Sequence, residues 1–179
     1  MSLTDAMRFG GPVAVLALLA ACASPPTMTA MQVIAPAAAI IPAPGTISVR
    51  VSGGLATSEL DAPNIADADF KAATEATLLG AHAFAGLAEP SEARYALVAN
   101  IIRLTKPYWG GTYRVELEVG WRLLDRTNER VLLRRGITST GTATMSDSVV
   151  GATRIRLAVE AAARANLEQL LHELAALPY

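Results

Sequence analysis

The chain has 179 residues, of which 52% are hydrophobic and 5% aromatic, a length that allows one ordinary domain and a tail. It carries 15 Lys and Arg against 16 Asp and Glu, and this balance excludes a general nucleic-acid-binding protein, which needs a large basic excess to neutralise phosphates. The single Cys excludes a disulfide scaffold and a Cys-rich zinc site, and two His leave little for another metal centre.

Residues 1–21 have the features of a bacterial lipoprotein signal peptide. An uncharged run, VAVLALLAA, covers residues 13–21; it is too short to cross a bilayer, which takes about 20 residues in a helix. The run ends in LAAC, which resembles a lipobox, so we expect cleavage between Ala21 and Cys22. Because Asp5 is unusual in the basic start of such a peptide, translation could begin at Met7 instead of Met1.

Cys22 is the predicted lipidation site. It would carry covalent diacylglycerol and an N-acyl chain, and we expect no other cofactor. Two or more acyl chains anchor a protein stably to a membrane. Ala23 stands where an Asp would retain the protein in the inner membrane of enteric bacteria. We therefore expect the periplasmic face of the outer membrane, with the inner membrane as the alternative.

Residues 22–45 are predicted to form the acylated Cys and a Pro-rich tether. Residues 23–45 contain five prolines and no charged side chain. This composition is typical of an extended spacer, which could reach about 70 Å at ~3.1 Å per residue. Ile34, Ile40 and Ile41 could instead lie on the domain or on a partner.

A single α/β domain is predicted over residues 46–179. Strands are indicated where apolar and polar residues alternate, and helices where apolar residues recur every three or four positions. Asp67 or Asp69 is the expected N-cap of the first helix, and Gly86 is the expected stop. In chain order the predicted elements are strand 47–52, helix 67–85, strand 95–104, strand 113–123, strand 130–143 and helix 149–177.

This β-α-β-β-β-α order predicts an α+β fold of two layers, an α/β sandwich. Each predicted helix has one apolar stripe, and the clearest strands have one apolar face. We therefore expect two helices packed on one face of a four-stranded, mostly antiparallel sheet.

Two phrases in the domain resemble an uncharacterised proteobacterial envelope lipoprotein family. They are VSGGLATSELDAPNIADADFKAATEATL at residues 51–78 and TRIRLAVEAAARANLEQLLHELA at residues 153–175. In layout, the domain is also similar to the lipopolysaccharide-assembly lipoprotein that plugs its outer-membrane barrel, and to auxiliary lipoproteins of ABC-type lipid transporters. The resemblance implies a non-enzymatic accessory role in envelope transport or assembly.

No motif in the chain predicts enzyme chemistry. His82 and His172 lie in predicted helices without a metal-ligand pattern, and Ser139 lacks the GxSxG spacing of a hydrolase elbow. The glycine pairs at 53–54 and 110–111 do not match a phosphate-binding loop. We therefore predict no catalytic residues and no metal site.

The charge distribution points to an interaction surface. Residues 22–100 have a net charge of −4, from three basic and seven acidic residues, whereas residues 101–179 have +3, from eleven and eight. Arginine pairs well with phosphate and carboxylate. A candidate patch for an anionic partner comprises Arg122, Arg126, Arg130, Arg134 and Arg135, and a candidate exposed lip comprises Lys106, Tyr108 and Trp109. A solvated sheet face is the alternative interpretation of the patch.

These observations predict a non-enzymatic outer-membrane lipoprotein that acts as an accessory subunit in lipid or lipopolysaccharide transport or assembly. Its expected partners are the membrane, through the lipid anchor, and an envelope protein such as an outer-membrane barrel or a transporter component. Anionic lipid is a further candidate partner, and nucleic acid is not expected. The alternative is a stand-alone periplasmic lipid-binding module, with a groove between the last helix and the sheet. An envelope hydrolase or transferase is the least favoured class.

Overall fold

The computed structural model describes residues 24–34, 43–58 and 61–179 of the chain. The predicted signal peptide, its cleavage site after Ala21 and the lipidation site Cys22 lie outside these ranges. In chain order the elements are α1 (Met28–Met31), β1 (Ala43–Ser52), α2 (Asp67–Gly80), β2 (Phe84–Leu87), β3 (Tyr95–Thr105), β4 (Tyr113–Asp125), β5 (Arg130–Ala143) and α3 (Gly151–Ala175).

The sheet has five strands in the order β2-β1-β3-β4-β5, so the predicted four-stranded sheet lacks one strand. β1 runs parallel to β2 and to β3, whereas β3, β4 and β5 form an antiparallel meander. The sheet is thus mixed: two of its four strand pairings are parallel, and the longer antiparallel meander forms the larger part of it, in agreement with the prediction of a mostly antiparallel sheet. Helix α2 is the crossover between the parallel strands β1 and β2; the predicted order β-α-β-β-β-α contains this helix but lacks α1 and the strand β2 that follows α2.

The missing strand begins within the last residues of the predicted first helix. Helix α2 ends at Gly80, and His82 adopts φ 51°, a left-handed conformation that reverses the chain. The chain then enters β2, so Gly86 is a strand residue and does not end the helix. At the other end the N-cap is Ala66, and neither predicted aspartate caps the helix. Asp67 instead accepts a hydrogen bond from the backbone N–H of Gly54 at 2.7 Å, which ties the helix start to the end of β1.

Alternation along β4 separates a helix-facing side from an open side of the sheet. Every second residue from Tyr113 to Asp125 is buried, while the residues between them are exposed or half-buried. The buried set packs under α2 and α3, and Phe70 of α2 meets the Trp121 ring with centroids 5.9 Å apart. All of the described helices therefore leave the other face of the sheet uncovered, as expected for two layers.

A buried polar network joins α3 to the two last strands. Trp121 Nε1 donates to Asn166 Oδ1 at 2.9 Å, and Asn166 Nδ2 donates to the carbonyl of Ile137 and to Ser139 Oγ. Ser139 Oγ in turn donates to the carbonyl of Ala162 at 2.8 Å. Since buried polar groups cost free energy unless they are paired, this closed set of hydrogen bonds fixes the position of α3 on the sheet.

Next to this network the helix backbone rests directly on the sheet. A Cβ added to Gly141 of β5 would collide with the carbonyl oxygen of Ala158 and the amide nitrogen of Ala162. Ala158 and Ala162 are themselves fully buried. The predicted groove between the last helix and the sheet is therefore filled at this point, and no acyl chain could enter there.

Part of the predicted tether belongs to the folded domain. Met31 of α1 is fully buried, and the backbone N–H of Thr27 donates to Glu160 of α3 at 3.1 Å. The Arg164 guanidinium donates to the carbonyl of Ala30 at 2.8 Å. An extended spacer is thus the wrong description of residues 27–33, because a buried methionine and these hydrogen bonds hold them on α2 and α3. Ile34 is 87% exposed, and β1 already begins at Ala43, before the predicted boundary at residue 46.

Aromatic rings close one end of the core. Tyr179 lies edge-on to Phe84 and to Tyr95, with both pairs of ring centroids 5.9 Å apart. Its hydroxyl donates to the carbonyl of Leu174 at 3.2 Å. Burial, with a smaller contribution from Tyr95, raises the pKa of the Tyr179 hydroxyl to about 12.

This shift predicts a loss of stability in alkali. The pKa of a tyrosine in an unfolded chain is about 10, so above that pH the unfolded state loses the Tyr179 proton while the folded state keeps it. The free energy of unfolding should therefore be unaffected by Tyr179 below pH 10 and should fall between pH 10 and about 12. Urea unfolding at pH 8 and pH 11 should show a smaller alkaline loss for Tyr179→Phe than for the unmodified protein. An equal loss in both would contradict this assignment.

Candidate anion-binding face

The open side of the sheet brings three arginines into one row across the strands. Arg50 of β1 pairs in register with Val98 of β3, Val98 with Arg122 of β4, and Arg122 with Arg134 of β5. All three arginines are exposed. We call Arg50, Arg122 and Arg134 the arginine row. Neighbouring strands are about 4.8 Å apart, so the row extends over about 14 Å.

Arg122 and Arg134 are directly opposite each other on neighbouring strands. Like charges in this position repel and destabilise a sheet. Among the described residues, no acidic side chain lies within ion-pair distance of any member of the row. The row is therefore a local excess of positive charge that the described part of the chain does not neutralise.

The next row of residues on the same face has mostly small side chains and is open to solvent at Gly136. It consists of Ser52, Asn100, Gly120 and Gly136 in register. Nothing lies within 4 Å of where a Gly136 side chain would begin, whereas the Ile102 side chain covers Gly120 at 3.4 Å. A ligand can thus approach the guanidinium groups from the side of Gly136 without meeting a bulky side chain.

Further along the face the charges are balanced. Arg103 of β3 lies between two carboxylates, with Nη2 at 2.9 Å from Glu118 Oε2 and at 3.6 Å from Glu116 Oε1. These exposed pairs contribute little to stability. They show by contrast that the arginine row differs from the rest of the sheet face.

The five predicted patch residues do not form one surface. Arg122 and Arg134 lie on the open face, but Arg135 is turned to the helix side, where its Nε is 3.3 Å from Glu173 Oε2 of α3. Arg130 starts β5, with a long 3.5 Å hydrogen bond to the carbonyl of Pro178. Arg126 lies in the hairpin turn, where its side chain is exposed. Arg50, which the sequence did not single out, completes the row.

The carboxylate at the end of β4, before the hairpin turn, is already engaged. Asp125 is buried beside Arg94, whose Nη2 donates to Asp125 Oδ2 at 3.0 Å. This hydrogen bond, opposed by burial and aided by the backbone N–H of Thr127, lowers the pKa of the Asp125 carboxyl below its usual value. Asp125 therefore holds the strand end in place and does not neutralise the arginine row.

Only part of the predicted lip is exposed. Tyr108 and Trp109 are 97% and 85% exposed, as the prediction requires. Lys106, however, turns back to the loop before α2, and its Nζ donates to Asn64 Oδ1 at 2.6 Å and to the carbonyls of Ala62 and Pro63. Burial lowers the pKa of the Lys106 ammonium, while the Asp61 carboxylate partly offsets that effect. Lys106 thus fastens a loop and does not belong to the lip.

The side chains considered for chemistry have ordinary surroundings. His82 is exposed in the turn after α2, and His172 is exposed in the last turn of α3. Ser139 is buried in the network with Asn166. In residues 24–34, 43–58 and 61–179, no three His, Cys, Asp or Glu side chains are grouped so that they could hold a metal ion. None of the helices in those ranges is both long and apolar enough to span a bilayer.

The fold is similar to that of proteins with solved structures. A Xanthomonas campestris protein of the DUF330 family shares 16% identity, with a TM-score of 0.60 over 83% of this chain and 91% of its own. A hypothetical protein of Chlamydia trachomatis, at 11% identity, has a TM-score of 0.50 over 74% of this chain and 98% of its own. A minor lipoprotein of Acinetobacter baumannii, at 15% identity, has a TM-score of 0.48 over 74% and 93%. No family model and no curated protein sequence matches the chain.

Proposed function

We propose that this protein is a non-enzymatic lipoprotein of the outer membrane, an accessory subunit that docks through its open sheet face onto a component of envelope lipid or lipopolysaccharide transport or assembly. The observation that carries the proposal is the arginine row on an uncovered sheet face, with no acidic side chain of the described residues within ion-pair distance of it. Such unneutralised charge favours the association of an anionic partner.

Membrane attachment in this proposal depends on the sequence LAAC at residues 19–22 and the acylation of Cys22. The fold supports it indirectly, because α1 is bound to the helical layer only a few residues after Cys22. The domain would therefore be held close to the bilayer.

The lipid-binding alternative has less support. It needs a groove between α3 and the sheet, and there the Gly141 backbone touches Ala158 and Ala162. The enzyme alternative needs a reactive group, and the buried Ser139 is committed to the Ala162 carbonyl. An accessory role that uses the outer face of the sheet requires neither.

Site-specific photocrosslinking in cells tests the proposal. A benzophenone amino acid at Val98, between Arg50 and Arg122, should give a crosslink to one envelope component when Cys22 is intact. The same amino acid at Gln169, exposed on α3, is the matched control and should not give that product. Cys22→Ser should abolish the crosslink from Val98.

Either of two outcomes would contradict the proposal. One is the same crosslinked product from Gln169 and from Val98, which would indicate random contact with the partner and no specific docking face. The other is a Val98 crosslink that persists in the Cys22→Ser protein, since docking would then not depend on the lipid anchor.

A further inference from the structure

The position of α1 determines which side of the domain faces the anchoring membrane. Thr27 is hydrogen-bonded to Glu160 of α3, and it follows Cys22 by only five residues. Five residues span at most about 18 Å even when fully extended. If Cys22 is acylated, as the proposed function requires, the bilayer surface is therefore within this reach of the α1 docking site.

This docking site lies on the helical side of the molecule. α1 contacts α2 and α3 and no strand of the sheet. The arginine row is on the opposite face of the sheet, so the sheet and the helical layer both stand between the row and α1. The headgroups of the anchoring membrane are consequently on the wrong side to reach the row.

A guanidinium group can donate two parallel hydrogen bonds to either a phosphate or a carboxylate, so its geometry alone does not distinguish these ligands. Because this orientation turns the row away from the phosphates of the anchoring membrane, it favours the carboxylates of a protein as the ligand. The row extends over about 14 Å, which corresponds to about four residues of extended chain. We propose that the arginine row, Arg50, Arg122 and Arg134, binds an acidic segment of an envelope protein, one with about three carboxylates within some five residues, on the side of the domain away from the anchoring membrane.

Because Arg122 and Arg134 are directly opposite each other, the proposal predicts that stability and ligand binding change in opposite directions. Without a ligand their repulsion disfavours the folded state, and a bound carboxylate relieves it. Arg134→Glu would place a carboxylate opposite Arg122 permanently. It should raise the melting temperature while it weakens ligand binding, a combination that a merely structural arginine would not produce.

Binding is measured with the acylated protein in non-ionic detergent and a fluorescent peptide of twelve glutamates, at 20 mM salt. Arg122→Glu and Arg134→Glu should each weaken binding at least tenfold. Arg114→Glu is the matched control. Arg114 lies on β4, on the same face as Arg122, and its substitution changes the net charge of the protein by the same amount. It should weaken binding less than threefold. Equal weakening by all three variants would overturn the proposal, since the peptide would then sense only net charge.

Vesicles of phosphatidylethanolamine and phosphatidylglycerol, mixed three to one, test the lipid alternative. The Cys22→Ser protein should bind them no differently from its Arg122→Glu variant. A tenfold loss of vesicle binding in that variant would assign the row to lipid headgroups and overturn the proposal.

Orientation is measured separately with introduced cysteines, since acylation blocks the thiol of the only native Cys. In these vesicles a bulky maleimide should react with Val98→Cys as fast as in detergent, and with Thr29→Cys more slowly. The reverse order would overturn the orientation. Mass spectrometry of Cys22 in protein from the cell envelope separates a failure of the proposed function from a failure of the ligand proposal. A Cys22 without acyl groups would contradict the proposed function. Absence of peptide binding by an acylated protein would contradict only the proposal of an acidic ligand.

Discussion

Gly141→Ala should destabilise the protein by about 3 kcal/mol or more, the upper part of the range for overpacked cores. The added methyl group would overlap the Ala158 carbonyl and the Ala162 amide, which are backbone atoms of α3. Side chains can rotate away from an intruding group, but a helix backbone can yield only if the whole helix moves. That movement would also strain the nearby hydrogen bond between Ser139 and Ala162.

Urea unfolding of the mature chain with Cys22→Ser measures this effect. Gly136→Ala is the matched control, because Gly136 lies on the same strand with nothing within 4 Å of its added Cβ. It should be neutral or stabilising by up to about 1 kcal/mol, since glycine in a strand is entropically costly. Similar unfolding midpoints for the two variants would show that α3 does not rest on β5 as described.

Asn166→Ala should cost about 3 kcal/mol, because it removes three hydrogen bonds of the buried network. Trp121 Nε1 would lose the one hydrogen bond that it makes within the described residues, and the Ile137 carbonyl would lose the Asn166 amide. Each buried group left unpaired costs about 1–3 kcal/mol. The indole would also lose a polar neighbour, so the fluorescence of Trp121 should change in the folded state.

A double-mutant cycle with Trp121→Phe isolates the central hydrogen bond. Phe removes the donor and keeps most of the ring, including its contact with Phe70. If Asn166 acts through the indole, the two substitutions should together cost less than the sum of their separate effects. Full additivity would indicate that the 2.9 Å contact contributes no stability.

Local patterns were sufficient for much of the fold. The alternation in β4 and β5 and the apolar stripe of α3 predicted those elements to within two residues, since burial on one side determines both patterns. β2 was missed because Ala81 and Phe84 continue the apolar spacing of α2, so Gly86 was expected to end the helix and the earlier Gly80 was not. The turn between α2 and β2 depends on His82 in a left-handed conformation, which residue type alone does not predict.

The interaction face was predictable only in part. Arg134 and Arg135 are adjacent in one strand, so strand periodicity alone requires them to point to opposite faces. Only their closeness in the chain suggests that they belong to one patch. Arg50 could not be assigned from sequence, because its place beside Val98 depends on a parallel register between strands more than forty residues apart. The packing of α1 on the domain could not be predicted, because the prolines around α1 are also typical of a free spacer.

The hydrogen bond from Thr27 to Glu160 joins residues separated by 133 positions, and this separation orders the events of folding. The meander of β3, β4 and β5 uses contacts between neighbours and can form early, whereas long-range contacts form late. The segment that contains α1 is therefore synthesised long before α3 is available to bind it. During that interval the surface of Met31 that is buried in the folded domain is open to solvent. Formation of α3 then draws the segment that contains α1 onto the domain as a late step of folding.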